Sequence, residues 1–359
     1  MLNNISTPSH IYNITCGDNA QVIIRNNYPD DDIVVNGAEI STIKDDFNAE
    51  DKIIREIIET TFKGKKQDNL ILSGRYRKIY QYSGEEYYLS KSIRLENCST
   101  YLGFAKIQEE YKMVRTNLCR VRLCPMCAYK RSLSVYHSVR SIYDRINDEY
   151  KHSKFLFLTF TVENVLPSDL SKTIDKLNKG FQNIVRQKAF KNICLGTIRT
   201  IEITYNKKSH TFHPHIHVIL HTTNELYHGR NYISQKKLTD MWQSAVDVDY
   251  IPVIDIRRFR ANTKRELAEV AKYAVKPNDY INEADNVLIT LDDVLHKRHL
   301  ITFSGTFKKA KQDLKIADAE EYDIYKNILQ DIEAEIIIYK WHFGEDNYIK
   351  TIEKFSKTR

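Results

Sequence analysis

One stretch constrains this chain more than any other: IEITYNKKSHTFHPHIHVIL, residues 201–220. Two apolar runs flank the polar turn NKKSH, the pattern of a β-hairpin. Side chains alternate faces along a strand, so Ile216, Val218 and Leu220 enter a core while His215 and His217 share the opposite face. On the preceding strand Ile201 and Ile203 take one face, and Thr200, Glu202 and Thr204 the other. The Glu202 carboxylate can therefore reach the two imidazoles across the hairpin. Two imidazoles and a carboxylate make an open site for Mg²⁺ or Mn²⁺, with positions left for phosphate oxygens, and such an ion polarises a phosphodiester. His213 and His221 flank the motif and leave the choice of ligands open. An isolated pair of strand histidines is more often structural than ligating, so the motif does not decide the matter alone.

A second constellation lies in ELAEVAKYAVKP, residues 266–277. Glu269 and Tyr273 are four residues apart and share a face if the segment is helical. Tyrosine is a weak nucleophile at its ordinary pKa of ~10 and needs a polarised electrophile or a base. A neighbouring glutamate can activate water in a later step. Lys272 and Lys276 are candidate phosphate contacts. With 23 tyrosines in the chain, the pair is not diagnostic alone. A third cluster is Cys119, Cys124 and Cys127, in C-x4-C-x2-C spacing, with Cys98 upstream. Closely spaced thiolates suit tetrahedral zinc, and either Cys98 or His137 can supply the fourth ligand. Cys16 and Cys194 stand apart.

The elements around these motifs read as α+β. A buried strand is expected over 155–162 (FLFLTFTV). An amphipathic helix is expected over 168–190, with Ser168 as N-cap and Leu170, Ile174, Leu177, Phe181 and Ile184 as its stripe. Further helices are expected over 51–62, 128–149, 234–246 and 263–275, with a strand over 250–259. The core order β-α-β-β-α-β-α implies an antiparallel sheet covered by helices on one face. Four regions follow: an acidic, loosely ordered leader (1–50), an N-terminal region with the cysteine module (51–150), a domain carrying the histidines and Tyr273 (151–285), and a mainly helical C-terminal region (286–359). Residues 63–90, polar and tyrosine-rich, receive no function.

The net charge of +7 is unevenly spread. Residues 1–52 hold nine acidic and three basic residues, so the remaining 307 carry +13. A basic body suits a polyanion such as nucleic acid. Arg257, Arg258 and Arg260, on or beside a strand, are candidates for positioning it. No uncharged apolar run of ~18 residues or secretory pattern is present, and six scattered cysteines suit a reducing compartment, so a cytoplasmic protein is expected.

Taken together, NLCRVRLCPMCAYKRSLS (117–134), FLTFTVENV (157–165), the hairpin, VDYIPVIDIR (248–257), ELAEVAKYAVKP and ITFSGTFKKAKQDLK (301–315) resemble the replication initiators of rolling-circle plasmids. These are the single-tyrosine branch of the HUH endonucleases. The likeness keeps the family's order and covers most of residues 98–315. It implies an HUH-type fold, with His215, His217 and Glu202 as metal ligands and Tyr273 as nucleophile. Glu269 would activate the water that ends replication. The implied reaction nicks one strand of the plasmid origin DNA, leaves a 5′-phosphotyrosine and frees a 3′-OH for the host polymerase, alongside a host helicase. The next tyrosine, Tyr280, lies beyond Pro277, which argues against a paired role. A transposase or relaxase of a mobile element, or a non-catalytic zinc-containing DNA-binding regulator, are the competing readings.

Overall fold

The computed structural model describes residues 12–16, 20–24, 49–150, 154–223, 233–259, 264–272, 274–322 and 335–355. The chain divides into two units, residues 1–52 and 53–359. Among the described residues the first holds a small antiparallel pair, β1 (Tyr12–Cys16) and β2 (Ala20–Ile24). Helix α1 (Ala49–Ile57) carries the chain across the boundary.

The segment over 63–90, to which the sequence reading assigns no element, is largely helical. It forms α2 (Gly64–Ser83), followed by α3 (Glu86–Glu96). Gly84, at φ +72°, ends α2, and its N–H donates to Tyr80 O at 2.8 Å. A left-handed residue at that point is cheap only for glycine. Strands β3 (Tyr101–Ile107) and β4 (Glu110–Thr116) then form a hairpin, and α4 (Pro125–Glu149) runs 25 residues.

The central sheet comprises β5 (Lys154–Thr161), β6 (Cys194–Asn206) and β7 (Thr211–Thr222), flanked by β8 (Ile254–Arg258) and β9 (Ile301–Ser304). Its order is β8-β5-β7-β6-β9, antiparallel throughout. Between its strands lie α5 (Leu170–Arg186), α6 (Lys188–Lys191), α7 (Gln235–Val246), α8 (Lys264–Val270) and α9 (Asp285–Leu295), and α10 (Gly305–Asp313) follows β9. The expected stripe of α5 is buried throughout. Its N-cap is Asp169 rather than Ser168, because Ser168 falls inside a short 3₁₀ turn, Pro167–Asp169. Helix α7 starts at Ser234, whose hydroxyl accepts from Lys237 N at 3.2 Å.

Helices cover both faces of this sheet, not one. Leu156, Leu158, Phe160, Ile216 and Val218 pack with Leu177 and Phe181 of α5 and Trp242 of α7. Phe155, Phe157, Ile198 and Ile219 pack with Val139 and Ile142 of α4, Leu267 and Val270 of α8, and Phe307 of α10. The apolar run Phe155–Leu158 of β5 requires this: adjacent residues point to opposite faces, and both faces must leave water. Gly305, at φ +54°, permits the sharp entry from β9 into α10, since a Cβ there would sit 2.1 Å from Leu195 O.

The end of the chain is corrected more strongly. The region 286–359, expected to be mainly helical, is helical among the described residues only in α9 and α10, and it holds a hairpin, β10 (Ile336–His342) and β11 (Asn347–Phe355). The β-branched run Ile336–Ile338 and the turn residues Gly344, Asp346 and Asn347 favour strands over a helix. This hairpin joins β3 and β4 in a second sheet, ordered β11-β10-β3-β4. Among the described residues no helix is long and apolar enough to cross a membrane.

Candidate metal centres and nicking site

Register brings the histidine site together. Glu202 on β6 pairs directly with His215 on β7, Thr200 pairs with His217, and on the other side Thr159 of β5 also pairs with His217. These side chains share one face, and Glu202, His215 and His217 are each more than 90% buried. His215 Nε2 and His217 Nε2 lie 3.1 and 2.7 Å from the same carboxylate oxygen, Glu202 Oε2. Burial pushes the Glu202 carboxyl up, but the hydrogen bonds and charges of the two imidazoles outweigh it and hold the group well below the usual carboxylate range. The two imidazoles thus keep this buried carboxylate ionised. Adjacent ligand atoms of an octahedral Mg²⁺, at bonds of 2.0–2.1 Å, stand roughly 3 Å apart, which the two N···O separations match.

The far nitrogens are held too. His217 Nδ1 is hydrogen-bonded to Thr159 Oγ1 at 3.1 Å, and His215 Nδ1 faces His213 O at 3.3 Å. The Phe157 ring stacks on His217 at 5.3 Å. Such contacts orient a ligating imidazole so that Nε2 points at the ion. The flanking histidines stand apart from this cluster of ligand atoms. His213 supplies its carbonyl to the site. His221 lies under α10, its Nδ1 2.9 Å from Thr306 Oγ1, and burial pushes it down to about 4. Thr159 was missed in the sequence reading, although Thr159 and Thr161 are the polar intrusions in an otherwise apolar strand.

Helix α8 packs against β6 and β7 on the face that bears this site, through Leu267 and Val270. Glu269 is half-buried on it and ion-paired with Lys272. The helix ends at Val270, short of the expected end at residue 275. Tyr273 and Arg260 lie outside the described residues. Ala274, the residue after Tyr273, is described: its carbonyl accepts from Ile203 N at 2.7 Å, on the strand residue next to Glu202. Tyr280 is buried, and its OH donates to Leu123 O at 2.6 Å, so it is a strut of the core rather than a second reacting tyrosine.

The basic residues disperse. Arg257 is exposed and pairs with Asp255 at 2.5 Å, while Arg258, the next residue of β8, takes the other face of the sheet. Lys272 and Lys276 are exposed. The sequence reading missed Arg122 and Arg131, which both meet Glu320, at 2.7 and 3.1 Å, and line a narrow cleft with Lys272 and Thr200.

The cysteines form a separate centre, and Cys98, not His137, completes it. Cys98 Sγ lies 3.5 Å from Cys124 Sγ and 3.7 Å from Cys127 Sγ, and Cys119 Sγ lies 3.6 Å from Cys127 Sγ. A zinc tetrahedron with Zn–S bonds of 2.3 Å has edges of roughly 3.8 Å, so the four sulfurs fit that ion. Hydrogen bonds from Cys119, Cys124 and Cys127 hold the Cys98 thiol far below its ordinary range. Cys124 also caps α4, its sulfur accepting from Cys127 N at 3.4 Å, and Arg120 N donates to Cys127 Sγ at 3.2 Å. No disulfide links these residues, and Cys194 is remote on β6.

Fold and sites define an α+β protein with a buried histidine–histidine–carboxylate centre on an antiparallel sheet and an independent four-thiol centre. The family model described as replication protein matches residues 110–349. A protein named Protein rep from Bacillus amyloliquefaciens is 33% identical over 318 residues, covering 80% of this chain and 93% of that protein. Another Protein rep, from Streptococcus pneumoniae, is 32% identical, covering 64% of this chain and 74% of its own. A Staphylococcus aureus Replication protein is 29% identical over 210 residues. No solved structure matches. The chain belongs to the replication-protein family and is a plasmid replication initiator.

Proposed function

We propose that this initiator is an HUH-type nickase that cuts one strand of the plasmid origin through a tyrosine ester. The observation that supports it most is the meeting of Glu202, His215 and His217 on the sheet face against which α8 packs, with Ala274, next to Tyr273, hydrogen-bonded beside Glu202. Glu202 Oε2, His215 Nε2 and His217 Nε2 would hold Mg²⁺ or Mn²⁺, and when bound the ion supplies Lewis-acid polarisation of the scissile phosphate. Thr159 and the His213 carbonyl keep both rings aimed at that position. The Tyr273 phenolic oxygen attacks phosphorus and loses its proton. The P–O3′ bond breaks, and the departing oxygen takes up a proton to become the 3′-OH that a host polymerase extends, with a helicase opening the duplex. The DNA keeps a 5′-phosphate ester to Tyr273. Glu269 serves the later, terminating cleavage as base for water. Cys98, Cys119, Cys124 and Cys127 would hold a structural zinc that anchors the start of α4.

The test is incubation with single-stranded origin DNA and Mn²⁺, followed by mass spectrometry. A DNA adduct on Tyr273 is expected, lost in Tyr273→Phe and strongly reduced in His217→Ala while DNA binding persists. Full nicking by His217→Ala in excess EDTA would sink the reading.

A further inference from the structure

Away from the nicking face lies a cavity of about 580 Å³, walled by α1, the π-helical turn Ile58–Lys63 that follows it, the β3–β4 hairpin and the first half of α4. Its size falls within the roughly 300–1,000 Å³ of sites that take aromatic ligands. Four tyrosines line it: Tyr111 on β4, Tyr129 and Tyr136 on α4, and Tyr322. All four are half-buried, so their rings are neither lost in the core nor fully in solvent. Besides the lysines at its rim, two cations stand beside the rings: Lys130 lines the cavity, and the Lys65 ammonium stands 4.7 Å from the centre of the Tyr129 ring. The two acids at its rim, Glu109 and Glu110, are engaged by Lys106 and Lys112.

We propose that this cavity binds unpaired bases of single-stranded DNA, as a second DNA site distinct from the nicking centre. Aromatic rings beside lysines are what a single strand needs: faces on which bases stack, and charge for the backbone. The +13 carried by residues 53–359 favours a polyanion over an acidic or neutral peptide. Position supports it as well. Tyr129, Lys130 and Tyr136 border the cavity, while Ala128, Arg131 and Val135 of the same helix border the cleft that holds Lys272 and Thr200. One helix, roughly 10–12 Å thick, therefore separates the cavity from the nicking face. A strand opened at the origin can occupy both.

The probe is single-stranded oligothymidylate, with a duplex of equal length as control, and affinity is read by fluorescence anisotropy at fixed salt. This readout needs no cleavage, so its failure is separable from failure of the nicking mechanism. Tyr111→Ala and Tyr136→Ala should each weaken single-strand binding about ten-fold while leaving duplex binding within about two-fold, and Tyr136→Phe should bind like the parent. Photocrosslinking of the unmodified protein with an iodouracil-containing strand should label a peptide within 111–137, a result that does not depend on any variant folding. Unchanged affinity in folded alanine variants, equal losses on duplex, a phenylalanine variant as weak as alanine, or crosslinks confined to other regions would each overturn the assignment.

Discussion

Replacing Cys124 by serine isolates what the four-thiol centre contributes. The side chain is fully buried, lies 3.5 Å from Cys98 Sγ, donates to Asn69 Oδ1 at 3.1 Å and caps α4. Serine is among the best N-cap residues and its hydroxyl can also donate to Asn69, so the change falls mainly on the four-thiol centre. Structural zinc stabilises small domains by roughly 10–16 kcal/mol, comparable with the whole stability of a folded domain at about 5–15 kcal/mol. Losing one ligand of four should then cost about 3 kcal/mol or more. For a body of this size that lowers the melting temperature by about 6 °C or more. The loss should also spread to the catalytic face, because α4 carries Val139 and Ile142 into the same cluster as Leu267 and Val270 of α8. Metal analysis and thermal melts, with and without chelator, measure both quantities, and Cys194→Ser is the control. A fully folded parent without zinc, or a Cys124→Ser protein that keeps its metal and its melting temperature, would refute the reasoning.

Three further outcomes are expected. Thr159→Val removes the hydroxyl at His217 Nδ1 without emptying the core, and Mn²⁺ titration should show affinity lowered about 10–100-fold; an unchanged affinity would separate Thr159 from the site. Glu269→Ala should still nick and initiate but terminate badly, giving products longer than one plasmid unit on a two-origin plasmid; equal loss of both steps would reassign the glutamate to the first cleavage. His221 is buried and its pKa is depressed from 6.5 to about 4, so its contribution is complete above pH 6.5 and is lost as pH falls toward 4, up to about 3 kcal/mol. Denaturant melts should show the parent losing more stability than His221→Gln between pH 6.5 and 4; parallel losses in the two proteins would refute the assignment.

The sequence by itself determined whatever follows from local periodicity and short-range register. The period-two alternation of residues 201–220 placed His215, His217 and Glu202 on one face, because a two-strand hairpin with a short turn leaves few other pairings. The stripe of α5 and the extent of α7 were legible for the same reason. Tertiary structure decided what depends on distant segments meeting. Cys98 was chosen over His137 only when the chain folded back across 26 and 29 residues to bring its sulfur against Cys124 and Cys127. The terminal hairpin joined β3 across more than 200 residues, a pairing no local pattern encodes. The cover on both faces of the sheet was half visible in the apolar run Phe155–Leu158 of β5, but which helices supply it was not. Thr159 became a partner of His217 only through the β5–β7 register, since a hydroxyl in a buried strand has meaning only when its neighbour is known.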